Sequence, residues 1–155
     1  MKVSQDTFWA YTVPETVKTL LMLAAANWEN TAEADKYINQ ALTEAETYPD
    51  ILVAAYRYFY YKGNHLMAHQ MADRVLAKVK KSENLPSDWE QLKPILVSRR
   101  DRPDIRRYLN AYAATGFILA KMGELEQAQK VIENIQEIDP EDELGASIVL
   151  DILTH

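Results

Sequence analysis

The chain has 155 residues, 48% of them hydrophobic, a formal net charge of −6 and no cysteine. That length supports one domain with a real core, and the missing thiols exclude disulfides, thiolate catalysis and thiolate metal sites. The acidic balance opposes binding to nucleic acid or an anionic membrane, because both require Lys and Arg against phosphate, so a cytoplasmic, soluble single domain over 1–155 is expected.

Four Gly and six Pro fall mostly between apolar stretches of helical period, and no strand alternation is sustained, which predicts an all-α fold. Pro14 opens a first helix expected to reach Glu29. Its run LLMLAAA at 20–26 imitates a signal-peptide core, but it follows Asp6 and Glu15 and is too short to span a bilayer, so a buried helix is the expectation. Asn30 or Thr31 caps a second helix with Glu33 in its first turn, running towards Tyr48. Pro49 starts a third that ends at Gly63, a residue suited to the left-handed conformation at a helix C-terminus. A fourth runs from about His65 to Lys81. In the segment 83–104, Ser87 and Glu90 have capping-box spacing, and Pro94 should kink or shorten the helix they start. From Asp104 a long helix reaches Met122, Gly123 turns the chain, another helix runs to Ile138, and Asp139-Pro140 ends it. A last helix is expected over 141–153.

Internal spacing then repeats. Gly123 and Ala128 stand five apart at a helix-turn-helix junction, as Gly63 and Ala68 do upstream, and the pair Ala34 and Ala41 recurs 34 residues on as Ala68 and Val75. The sequence resembles the tetratricopeptide repeat (TPR), a helical hairpin of about 34 residues. The unit 109–142 carries Tyr112, Thr115, Gly116, Leu119, Gly123, Ala128, Ile132, Ile135 and Pro140 at the positions that family marks. The unit 49–82 keeps Leu52, Ala55, Phe59, Gly63, Ala68, Ala72 and Val75, with Tyr56 where Gly is usual. The unit 15–48 keeps Leu21, Ala25, Ala34, Ile38 and Ala41. The resemblance implies a TPR-like superhelix of about three hairpins, interrupted or extended by the insert 83–108 and closed by a C-terminal capping helix. Small residues at 116 and 128 would let paired helices approach closely, while Ile132 and Ile135 fill a seam.

In that family the first helix of each hairpin lines a concave groove. Carried over by position, the resemblance implies partner-binding roles for Asn27 in the first unit, for Arg57, Tyr60 and Tyr61 in the second, and for Asn110, Phe117 and Lys121 in the third. Arg106 lies one turn before Asn110 on the same stripe. The family's carboxylate clamp for chaperone C-termini needs Lys and Asn on the first unit. Thr19 and Leu23 stand there instead, which argues against that kind of partner.

Other clusters carry less. SRRDRPDIRR at 98–107 packs five arginines, which would either dock an acidic segment or be neutralised by Asp101, Asp104 and their neighbours on a solvated turn. His65 and His69 have i,i+4 spacing but no accompanying Glu for a metal motif, so no metal and no cofactor are expected. Glycines at 63, 116, 123 and 145 cannot form a phosphate loop or a nucleophile elbow, so no enzyme class is indicated. Phe8, Trp9 and Tyr11 precede the first helix, and Leu144, Ile148, Val149, Ile152 and Leu153 spread round the last one. Those apolar ends suggest either a homodimer seam on the C-terminal helix or its cover by the N-terminal segment. The leading expectation is a non-catalytic protein- or peptide-binding adaptor, assembly factor or chaperone. A self-associating structural subunit and a bacterial secretion chaperone are the alternatives.

Overall fold

The structure, a computed structural model, describes residues 11–145, and every regular element among them is an α-helix. In chain order these are α1 (Glu15–Ala26), α2 (Thr31–Leu42), α3 (Asp50–Tyr61), α4 (His65–Ser82), α5 (Trp89–Ser98), α6 (Pro103–Lys121) and α7 (Leu125–Ile138). They form two compact units that divide between Met71 and Ala72, inside α4. No helix among the described residues is long and apolar enough to cross a membrane.

In the first unit α1 packs on α2 and α2 on α3. The periodic apolar residues make this possible: Val17, Leu21 and Ala24 are buried on α1, and Ala34, Ile38 and Ala41 on α2. The Asn30 side chain accepts the Glu33 N–H at 3.3 Å and so satisfies one free donor at the start of α2. Aromatic rings lock α3 in place. Trp28 meets Tyr58 edge to face at 5.7 Å, and the Tyr58 hydroxyl donates to Asp35 of α2 at 2.6 Å. Lys62 sits 4.6 Å above the Trp28 ring and donates to the Trp28 carbonyl at 2.6 Å, tying the end of α3 to the end of α1.

In the second unit α6 and α7 form an antiparallel-type hairpin turned by Gly123, whose φ of +82° an L side chain would strain, and α5 packs on α7. Its core joins Leu85, Leu92 and Leu96 to Ile105, Leu109 and Ala113 of α6 and to Ile132, Ile135 and Ile138 of α7. Gly116 is where α6 and α7 come closest: a Cβ there would lie 2.6 Å from Cδ1 of Ile132 and 3.3 Å from Val131. The ring system Trp89–Tyr112–Tyr108 stacks in steps of 6.1 Å across α5 and α6, and Asn134 of α7 donates to the Tyr112 hydroxyl at 2.9 Å.

Several boundaries differ from the sequence expectation for physical reasons. α1 stops at Ala26 and α2 at Leu42, yet Trp28 and Ala45 beyond them are buried, so the apolar pattern continues through turns after the helical hydrogen bonding has ended. The cap of α5 is Asp88, which accepts the Gln91 N–H at 3.2 Å, while the expected cap Ser87 accepts from Lys80 instead. Pro94 neither ends nor shortens α5 at its own position. It is exposed, as is Glu90, so the carbonyl left without an amide partner faces water. Residues 141–145, the expected start of the last helix, form turns with Asp142 and Gly145 at positive φ, and 146–153 lie outside the described residues.

Replacing Gly116 with Val puts a Cβ 2.6 Å from Cδ1 of the fully buried Ile132 and leaves two further methyls to place. Urea unfolding should show a loss of about 1–3 kcal/mol, the usual cost of overpacking a core.

Candidate protein-binding face

Helix α3 is buried along most of its length, through Ile51, Leu52, Ala54, Ala55, Tyr56, Tyr58 and Phe59. Four-residue spacing leaves Arg57 and Tyr61 together on the solvent side, with Tyr61 39% exposed. Tyr60 lies half-buried beside them, its ring 5.5 Å from Tyr61 and 5.9 Å from His65. The Tyr60 hydroxyl is pushed up, by burial first and then by its neighbour Tyr61.

A short strap lies on this face. The Thr12 N–H donates to the Asp50 carboxylate at 2.7 Å and Arg57 Nη1 donates to the Tyr11 hydroxyl at 3.3 Å. Tyr11 is 8% exposed. Burial raises its hydroxyl, against the opposing pull of the Arg57 guanidinium. The ring walls an apolar cleft of about 280 Å³, counting space open to solvent, whose other walls include Leu21, Ala24, Trp28, Ile38 and Ala54.

The remaining candidate residues fall into separate places. Asn27 turns back on its own helix, donating through Nδ2 to the Leu23 carbonyl at 2.8 Å. In the second unit Arg106 and Asn110 are exposed and border an open depression of about 360 Å³ with Arg100, Ile138, Asp139 and Glu143. Phe117 packs on the unit's core and faces Gly145, while Lys121 is exposed in the last turn of α6. The stripe expected along α6 is thus divided, because the 139–145 turn meets it midway. That turn is organised by Asp139, whose carboxylate accepts the N–H groups of Glu143 at 3.0 Å and Leu144 at 2.9 Å.

The arginine cluster is largely consumed inside the second unit. Glu83, with its side chain only 8% exposed, takes Arg102 at 2.9 Å and Arg99 at 3.7 Å. Arg100 donates to the Ile138 carbonyl at the C-terminus of α7, where orphan carbonyls and the helix dipole favour a cation. Arg107 pairs with Asp104 at 2.7 Å. Arg106 alone of the five makes neither an ion pair nor a side-chain hydrogen bond among the described residues. Sequence reading missed Glu83 and the Tyr11–Arg57 and Thr12–Asp50 pairs, since each joins positions distant along the chain and no local spacing announces them. His65 and His69 gather no third metal-ligand type, and no such group of three or more occurs among the described residues.

The described residues thus define an all-α protein with an arginine- and tyrosine-bearing helix face. The chain is similar to an uncharacterized 19.8 kDa protein in the nifW 5′ region of Azotobacter chroococcum mcd 1, at 31% identity over 130 residues that cover 82% of this chain and 72% of that protein. It belongs to the family of that protein. No family model matches the chain and no solved structure matches it.

Burial raises the hydroxyls of Tyr56 on α3 and Tyr108 on α6 to about 12. Because folding favours the neutral phenol, their contribution to stability is complete below the unfolded value of about 10 and is lost as pH rises from there through about 12. Tyrosinate absorbance should rise in an early step from exposed rings and a late one that coincides with loss of helical signal. A single step near pH 10, with the helical signal intact, would contradict the burial of these rings.

Proposed function

We propose that the chain is a tetratricopeptide-like array of helical hairpins that acts by binding another protein or peptide, without chemistry of its own. The 34-residue spacing of Ala34 and Ala41 to Ala68 and Val75 supports the hairpin reading, as do the paired helices α1–α2 and α6–α7 and the positive-φ turns at Gly63 and Gly123. The observation that carries the binding role is the exposed Arg57–Tyr61 pair on an otherwise buried α3. Arg and Tyr are the residue types that anchor protein interfaces: a rigid ring supplies apolar area, and a guanidinium fork fixes a carboxylate or carbonyl. An adaptor, assembly factor or dedicated chaperone would use such a face. Leu144, one of the residues that suggested a dimer seam, packs on the core of its own unit, which favours partner binding over self-association at that position.

The test is affinity recovery of partners from the native cell with wild-type chain and with the Arg57→Ala/Tyr61→Ala double variant. Loss of about 2 kcal/mol per anchor is expected, so a specific partner held by the wild type should be depleted at least tenfold while helical signal is kept. Equal recovery by both chains would overturn the assignment of this face. Light scattering should give a mass near 17.8 kDa. A concentration-independent dimer abolished by Ile148→Asp would move the reading to self-association.

A further inference from the structure

The α3 face is not bare. Residues 11 and 12 of the same chain lie on it, with a phenol on the Arg57 guanidinium and a main-chain N–H on the Asp50 carboxylate. Those are the two kinds of contact by which an extended peptide is held: a side-chain anchor and a main-chain hydrogen bond. The strap lies outside any helix, running into α1 only at Glu15. The Tyr11 ring itself is one wall of the cleft, which it closes together with Leu21, Trp28, Ile38 and Tyr58 over a floor of Ala24, Ala25 and Ala54, so the seat is shaped for a ring that can be withdrawn. Arg57 is exposed and its guanidinium has five N–H donors, of which the Tyr11 contact uses one at a long 3.3 Å. Tyr61 is exposed one turn on.

We infer that this face and the cleft beside it bind an extended, tyrosine-bearing segment of a partner protein, and that the chain's own Tyr11–Thr12 strap is an internal copy of that ligand which the partner displaces. The inference rests on the assignment of α3 as the binding face and adds what the partner must present: a tyrosine that takes the seat Tyr11 vacates, with its hydroxyl on Arg57, followed by a main-chain N–H for Asp50. It also adds regulation. A strap tethered within a few residues of its site competes at an effective concentration of about millimolar, so apparent affinity for an outside segment is reduced until the strap leaves.

The experiment uses the full-length chain and, as probe, a fluorescently labelled synthetic peptide with the sequence of residues 5–15. Thr12→Pro removes the N–H that Asp50 accepts without touching a buried side chain, and Tyr11→Ala empties the phenol position. Anisotropy titration should show both variants binding the peptide at least about tenfold more tightly than wild type. A peptide whose own tyrosine is replaced by Ala should lose that gain, and adding Arg57→Ala to Thr12→Pro should reduce it. Equal, weak binding by wild type and by Thr12→Pro, with matching circular dichroism, would overturn the strap. Because this readout needs no natural partner, it separates the two ideas. A partner that still depends on Arg57 and Tyr61 while the peptide gains nothing removes the strap alone, and a peptide gain with no Arg57-dependent partner leaves an internal latch and removes the binding role.

Discussion

The second unit depends on a side chain that is missing. With nothing at Gly116, the Cδ1 atom of Ile132 enters the surface of α6, and the two helices come close enough for Ile135 and Ile138 to join Leu109 and Ala113 in one core. Everything else in the unit is arranged round that approach. Leu92 and Leu96 of α5 fill the same core, the stacked rings of Trp89, Tyr112 and Tyr108 close its edge, and Glu137 accepts from Trp89 at 2.8 Å and from Lys93 at 3.2 Å at the rim. The rim contacts lie in solvent and add orientation more than stability. The close helical approach supplies the packing.

The first unit is held by aromatic locks, which leave one helix little freedom in what it exposes. Because Tyr58 points at Asp35 and Trp28, and Tyr56 and Phe59 point inward, α3 has few directions left in which to present a side chain to water. Arg57 and Tyr61 take those directions. In the proposed role, a helix fixed this way would present Arg57 and Tyr61 from a pre-formed backbone, which lowers the ordering cost of binding. The same rigidity gives the Tyr11–Thr12 strap a defined seat.

Features written in neighbouring residues were legible beforehand. The Asn30 cap, the turns at Gly63 and Gly123, and the start of α3 after Pro49 follow from local donors and backbone preferences, and the structure carries all of them. Helix ends read from apolar period were too long, because burial outlasts helical hydrogen bonding at Trp28 and Ala45. For the site, the residues carried over from the family resemblance separate: Arg57 and Tyr61 are exposed on α3, whereas Asn27 folds back to Leu23 and Phe117 packs inward, choices set by neighbours that a repeat pattern does not see. The arginine cluster shows the limit most clearly. Its sequence neighbour Asp104 takes one guanidinium, and Glu83, on the far side of α5 in the chain, takes two.

That double clasp has a consequence for how the chain can change over time. Glu83 lies just before the α5 segment, and Arg99 and Arg102 lie just after it, so the clasp closes a loop whose middle, Leu92 and Leu96, sits in the core. Because the entropy of closing such a loop grows only with the logarithm of its length, residues can be added beside the exposed Ser87 and Ser98 at small cost, provided that Leu92 and Leu96 keep their seats. The register of α6 and α7, set at Gly116, would not shift. Length variation among relatives should therefore gather at the two exposed ends of the clasped loop and spare both α5 and the hairpin that follows.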